Sequence, residues 1–356
     1  MKKTIRLTKS TRSNFLSYGI VVVAFVVLQI LRSGGNISSA LDDLLVPTCA
    51  YIVMAISLNL TVGILGELSL GHAGFMSVGA FSGVVAAISL QNVIPFVPVR
   101  LAIAMLVGAA CAAVAGVIVG VPVLRLRGDY LAIVTLAFGE IIKSIITNLY
   151  VGVDGSGLHF SLLTNKMTLE ETGKVIINGP MGISSIPTIS TFIAGFVLLL
   201  VTLFVVLNLT NSRSGRAIMA LRDNRIAAES VGIHITKYKL MAFVTSAALA
   251  GAAGTLFAMN YSTISANQFD FNTSILILVY VVLGGLGNIW GSIIATTALY
   301  ILPETVLRSL GNYRMLAYAV LLILVMLATN NPIIRNFFSR VGNLFRGKKK
   351  EGSDHE

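Results

Sequence analysis

Charge is scarce in this chain. Asp, Glu, Lys and Arg make up 12% of its 356 residues, where ordinary soluble domains carry about 25%. So little charge cannot solvate the surface of a water-soluble fold of this length. Cysteine is scarcer still. Cys49 and Cys111 both lie in apolar runs; they suggest no disulfide framework and read as small core residues. The four histidines, His72, His159, His234 and His355, form no H-E-x-x-H pair, and no G-x-S-x-G elbow occurs. No G-x-x-x-x-G-K-[ST] is present either, so the chain has no P-loop of its own for ATP. No catalytic residue and no metal-ligand set is assigned.

Apolar sequence is plentiful, at 55%. A membrane span needs roughly 20 mostly apolar residues. Nine runs qualify or nearly do: Phe15–Leu31, Leu44–Val62, Ala73–Leu90, Leu101–Val121, Tyr130–Tyr150, Thr191–Leu209, Leu240–Asn260, Thr273–Leu302 and Met315–Thr329. The chain reads as an all-α polytopic membrane protein, with about 8 full spans plus a broken or re-entrant pair, 8–10 transmembrane helices in all. The first run follows a basic start, MKKTIRLTKSTR, as in a signal peptide. At 17 residues it exceeds the usual h-region of about 7–15 and has no convincing cleavage site, so it reads as a retained first span.

The net charge of +11 points to orientation, not to nucleic acid. With the N-terminus in the cytoplasm, 19 of the 26 basic residues fall on the inside: the N-terminal segment, Arg125 and Arg127, the loop after residue 210, and the C-terminal tail. This is the positive-inside bias. Two basic, cytoplasmic termini require an even number of crossings. Thr273–Leu302 supplies the correction, because Gly284, Gly285, Gly287 and Gly291 interrupt it. It is expected to enter and return as two short helices or a re-entrant pair. Non-helical backbone at membrane depth is tolerated only where protein or a water-filled cavity covers it, so this break is expected to line something.

The organisation is a basic segment 1–14, a transmembrane domain 15–329 and a basic tail 330–356. Within the domain, Val151–Ser190 is the longest outside segment and is expected to form a small cap or helix. A faint echo links Val62-Gly63-Ile64-Leu65-Gly66 with Gly71 to Leu283-Gly284-Gly285-Leu286-Gly287 with Gly291. Paired interruptions in two halves point to a transport site; chance matching of Gly-rich segments explains the echo equally well. The candidate pathway residues are Glu67, Ser69, Gly71, His72, Gly74, Gly284, Gly285, Gly287 and Asn288. For Glu67 and His72 two readings stand. They sit at the cytoplasmic ends of two helices, solvated or hydrogen-bonded. Alternatively, the Gly break bends a half-helix toward the pathway and exposes the Ser69–Gly74 amides at its N-terminus. Glu140 and Lys143, three apart on one helix face, read as a self-neutralising pair facing the bundle interior or as a contact for substrate or partner. Gly79-x-x-x-Gly83 and Gly116-x-x-x-Gly120 read as packing sites.

A polar island, 211–239, interrupts the apolar pattern. It holds six basic residues (Arg213, Arg216, Arg222, Arg225, Lys237, Lys239) and two acids (Asp223, Glu229). Ser214–Val231 is helix-compatible, with apolar positions Ala217, Ile218, Leu221 and Ala228 at helical spacing. Gly232 is expected to stop it. An amphipathic helix of this kind can lie on lipid headgroups or receive a partner.

The island also carries a resemblance. Ala228-Glu229-Ser230-Val231-Gly232 resembles the coupling loop of ABC importer permeases, with Ser230 where the general pattern has Ala. The longer string GRAIMALRDNRIAAESVGIHITKYKLMAFVTSAALAGAAGTLFA is similar to the branched-chain amino acid permease family, LivM type. So are SLNLTVGILGELSLGHAGFMSVGAF, LRGDYLAIVTLAFGEIIKSIITNL followed by NGPMGI, and GGLGNIWGSIIATTALYILPE. The resemblance covers about residues 50 to 305. It implies a permease subunit of an ABC importer in a bacterial cell membrane. Its implied partners are a second homologous permease, two cytoplasmic ATPases and an extracytoplasmic binding protein. ATP is used by the partners, and this chain binds no cofactor. The implied coupling contact maps onto Gly215, Arg216, Leu221, Arg222, Asp223, Asn224, Ala228, Glu229 and Gly232. Leucine, isoleucine and valine are the implied substrates, with another amino acid, urea or a short amide as alternatives. Two other classes remain: an ion-coupled secondary transporter using Glu67, His72 or Glu140 as proton carriers, and a scaffold whose island recruits a cytoplasmic protein.

Overall fold

A chain segment inside lipid must satisfy its own backbone hydrogen bonds, and an apolar run does so as a helix. The computed structural model describes residues 9–35, 38–126, 128–154, 157–162 and 174–305, with helical positions at 316, 319, 320 and 323. The apolar runs fold into α1 (Lys9–Ser33), α2 (Ser39–Asn59), α3 (His72–Ser89), α4 (Val97–Val123), α5 (Asp129–Thr147), α6 (Phe192–Asn211) and α9 (Ile235–Ala258). The island forms α7 (Arg213–Asp223) and α8 (Arg225–Ser230). The run Thr273–Leu302 resolves into α10 (Phe271–Gly284) and α11 (Ile289–Thr305), so the expected break is present. Among the described residues, six helices are long and apolar enough to cross a membrane: α2 with its extension to Leu65, α3, α4, α5, α6 and α9. Val21–Ser33 and α10 are shorter apolar helices. The run Met315–Thr329 lies almost wholly outside the described residues, and the tail 330–356 lies outside them entirely. Residues 1–301 form one compact unit and 302–356 a second; the architecture below is that of the first.

Helix α9 is the central post, and small residues bring its neighbours close. Gly79 of α3 lies directly on the Gly251 backbone, and a side chain there would collide with it. Thr255 Oγ1 donates to the Gly79 carbonyl at 2.8 Å. On α4, Gly116 faces Ala247 and Gly120 faces Leu240 and Phe243. Both Gly-x-x-x-Gly pairs are thus packing sites, because close backbone approach strengthens dispersion contacts that lipid would otherwise match.

The segment 151–190 departs from the all-α expectation. Where a small cap or helix was expected, no helix forms at its start; it opens with a three-stranded antiparallel sheet: β1 (Leu149–Asp154), β2 (Gly157–Leu162) and β3 (Lys174–Asn178), in the order β2-β1-β3. Short runs of Val, Ile and Leu bounded by Gly favour strands over helices. Asp154 and His159 are diagonal neighbours across the β1–β2 ladder, and their side chains approach to 2.9 Å. Beyond β3, Ile183 exchanges backbone bonds of 2.9 and 3.0 Å with Ile264, and Ile186 N donates to the Ser262 carbonyl. The segment is therefore sewn to the chain that follows α9. The island immediately precedes α9, whose 24 residues span about 36 Å. The sheet and the island lie at opposite ends of that helix.

Candidate functional site

The island is two helices where one was expected. Ser212 caps α7 by accepting from Gly215 N at 3.0 Å. Asn224 is extended, and its Oδ1 accepts from Ala227 N at 3.0 Å to cap α8. An Asn side chain competes for backbone donors in this way and favours caps over helix interiors, which divides the segment at Asn224. Gly232 follows α8 with a φ of +83° and ends it. Gly215, Ala217, Ile218, Leu221 and Ala228 are buried, whereas Arg216, Arg222, Asp223, Asn224, Glu229 and Gly232 are exposed. Two large apolar residues also stand in solvent: Ile226 at 81% and Val231 at 76% exposure. Neither belongs to the residues that sequence reasoning selects. Their signal is a large apolar side chain inside a charged segment, off the buried stripe.

The first Gly-rich break is a π-helical continuation of α2, Leu60–Leu65, ended by Gly66 at a φ of +80°. Such widened turns frequently occur at functional sites. The second break, residues 285–288, has Gly285 and Gly287 at φ of +94° and +80°. The two breaks touch. Gly63 packs on the Gly287 backbone, with no room for a side chain between them. Asn59, fully buried at the end of α2, joins them: its Oδ1 accepts from Gly287 N at 2.8 Å and its Nδ2 donates to Ser292 Oγ at 2.8 Å. Asn288 Oδ1 accepts from Gly291 N at 3.2 Å and closes the turn into α11. Gly284 lies against the backbone of Gly291.

The island reaches this junction. Arg222 Nη1 donates to the Gly63 carbonyl at 2.7 Å. Its stem lies along Gly66, and its Nε and Nη2 approach Asp223 Oδ1 at 3.4 Å. One side chain thus links the island to the first break, which Asn59 ties to the second.

The remaining pathway candidates form a second group, built around the start of α3. His72 is the first residue of α3 and is buried, with Nε2 at 2.7 Å from Ser57 Oγ. Ser57 donates its own proton to the Met54 carbonyl, which fits a His72 that donates from Nε2. Gly71 packs on the Thr135 carbonyl and Gly74 on Gly139, both of α5. A helix does begin here, and three of the amides of 69–74 are bonded: Leu70 N donates to Thr135 Oγ1 at 3.0 Å, Ala73 N to Ser274 Oγ at 3.1 Å and Gly74 N to the Gly71 carbonyl at 3.0 Å. Ser69 is buried with no partner for its hydroxyl among the described residues, as is Thr61 in the π-helix. Of the two options for Glu67, solvated or hydrogen-bonded, the structure shows the second. Glu67 forms an ion pair with Lys239 of α9, their side chains 14% and 5% exposed. Lys239, counted with the island's surface charge, is turned inward because the carboxylate is there. Glu140 and Lys143 do pair, at 3.6 Å, but on the outer face of α5 and not in the bundle interior.

Comparison with known proteins fits this arrangement. The family described as branched-chain amino acid transport system / permease component matches residues 40–329. The high-affinity branched-chain amino acid transport system permease protein LivM of Salmonella typhimurium is 37% identical over 304 residues, covering 80% of this chain and 68% of that protein. LivM of Escherichia coli is 35% identical over 323 residues, covering 86% and 73%. The ribose import permease protein RbsC of Escherichia coli is 27% identical over 318 residues, covering 87% and 91%. No solved structure matches. The chain is a multi-pass membrane protein and belongs to the branched-chain amino acid transport permease family.

Proposed function

We propose that the chain is a translocation subunit of an ABC importer for leucine, isoleucine and valine in a bacterial cell membrane. It carries no chemistry of its own. Two cytoplasmic ATPases dock on the island, a second permease completes the pathway, and an extracytoplasmic binding protein delivers substrate to the face that carries the sheet.

The observation that supports this reading most strongly is the bond from Arg222 to Gly63. The exposed face of α7 and α8 offers Arg216, Asp223, Glu229, Ile226 and Val231 to a partner. When the partner moves α7, Arg222 carries the displacement to a π-helix, and Asn59 passes it to the second break. A hydrogen bond to a charged group contributes about 1.5–3 kcal/mol, enough to bias an equilibrium between two arrangements of the breaks. The substrate assignment rests on the named cargo of the LivM relatives. The likeness to a ribose permease supports a shared scaffold whose delivered cargo is chosen by the binding protein.

Reconstitution tests the function. In proteoliposomes with ATPases and binding protein, leucine uptake is expected to require ATP and to stop with vanadate. Uptake by the isolated chain that collapses with a protonophore would assign it to the ion-coupled class instead.

A further inference from the structure

From Ile88 to Val99 no residue is buried, and the first buried residue after Ala87 is an arginine. Arg100 stands in the first turn of α4 and is 6% exposed. It continues the buried stripe of Leu101, Ala104 and Gly108, which packs into the bundle, whereas Leu106 and Ile118 stand exposed on another side of the helix. Helix α4 runs antiparallel to α9: Gly120 meets Leu240, near the island, and Gly108 meets Thr255, near the far end. Arg100 precedes Gly108 by a further 12 Å or so along the helix, about two turns, toward the face that carries the sheet.

A buried charge is stable only when it is paired and hydrogen-bonded. Arg100 Nε is buried without a hydrogen-bond partner, and no carboxylate among the described residues pairs with the guanidinium. Asp42 is engaged with Arg32, Asp154 with His159, and Asp270 with the cap of α10. The helix dipole does not relieve the charge either. Its positive end lies at the first turn, where it favours anions. A helical side chain leans toward the N-terminus of its own helix, so the guanidinium is aimed at that positive end. One oxyanion would satisfy both, because a guanidinium grips a carboxylate or phosphate with two parallel N–H bonds.

We propose that Arg100 and the first turn of α4 form an oxyanion site on the sheet-bearing face, which takes the carboxylate of the amino acid delivered there. The choice of an amino acid rests on the permease reading above. A phospholipid phosphate offers the same chemistry, but Arg100 lies on the bundle side of α4, away from the exposed Leu106 and Ile118.

The test follows the thermal midpoint of the complete transporter in dodecyl maltoside, without binding protein, at rising millimolar leucine. Leucinol, which lacks the carboxylate, is the control, and added phosphatidylglycerol is the lipid arm. The expected result is a saturable rise with leucine, none with leucinol, and loss of the rise in Arg100→Met. Arg100→Lys keeps the charge without the fork and is expected to need several-fold more leucine for the same rise. Without ligand, Arg100→Met is expected to melt no lower than the unaltered chain, because it removes an unpaired buried cation. A clearly lower ligand-free midpoint would mark a structural arginine and overturn the proposal. So would a leucine response that survives in Arg100→Met, a response to phosphatidylglycerol alone, or no response to either probe. ATP-driven uptake by the reconstituted transporter is read separately. Its absence, with the leucine shift intact, would sink the importer reading and leave the site standing.

Discussion

Arg222 donates a hydrogen bond of 2.7 Å to the carbonyl of Gly63, a residue 159 positions earlier in the chain. The donor lies on the exposed island, and the acceptor lies in a π-helix that Asn59 ties to a second helix break. A push on α7 therefore has a direct polar route to both breaks. The chain between these residues includes four helices long enough to cross a membrane, yet the route itself needs only the side chains of Arg222 and Asn59.

The exposed apolar pair on the island gives the first prediction. Ile226→Ser with Val231→Ser removes two large apolar groups that stand mostly in solvent. Surface substitutions usually change stability by within about 0.5 kcal/mol. The thermal midpoint is expected to stay in place while the ATPases no longer co-purify. Unchanged co-purification would show that the ATPases dock elsewhere.

Asn59 gives the second. Asn59→Ala leaves Gly287 N without this partner and takes a donor from Ser292 Oγ, which keeps its bond to the Asn288 carbonyl; each lost hydrogen bond costs about 0.5–1.5 kcal/mol. A lower midpoint together with lost uptake is expected. Asn59→Asp is the control, since it keeps the acceptor for Gly287 N but loses the donor to Ser292. Its uptake is expected to fall between that of Asn59→Ala and that of the unaltered chain.

The Glu67–Lys239 pair gives the third. Removing one partner of a buried pair costs about 3–5 kcal/mol, whereas replacing both with apolar groups is often neutral. Glu67→Gln is expected to lower the midpoint in detergent more than Glu67→Met combined with Lys239→Met. Equal midpoints for the two variants would show that the pair does not hold the first break against α9.

Packing gives the fourth. Gly79→Leu drives a side chain into the Gly251 backbone, and overpacking costs about 1–3 kcal/mol or more. Little folded protein is expected. Gly116→Ala, whose nearest neighbour is Ala247 Cβ at 2.8 Å, is expected to be milder. Comparable yields from both would remove α9 from its place as the central post.

Much of this architecture is written in local sequence. Hydropathy marks the spans, the glycines of 284–291 mark the α10–α11 break, and Gly232 marks the end of the island. What local sequence hides is long-range or small. Asn59 sits in an apolar run, and nothing nearby shows that its amide faces Gly287. Lys239 resembles surface charge because its partner lies 172 residues away. Asn224 splits the island because one cap outweighs six residues of helix propensity. The sheet is hard to read because its strands are only five or six residues long. The motif match points to Arg222, but only the fold supplies its acceptor.

The central claim is that Arg222 transmits motion from the island to the breaks. Its most direct test measures ATP hydrolysis and leucine uptake together in proteoliposomes carrying Arg222→Gln. The control is Arg213→Gln, an exposed arginine of the same island that lies outside the named coupling contact. The expected result is hydrolysis retained and uptake reduced roughly tenfold or more, as follows from a lost bond of about 1.5 kcal/mol, with the control near the starting level. Undiminished uptake per ATP hydrolysed in Arg222→Gln would contradict the account.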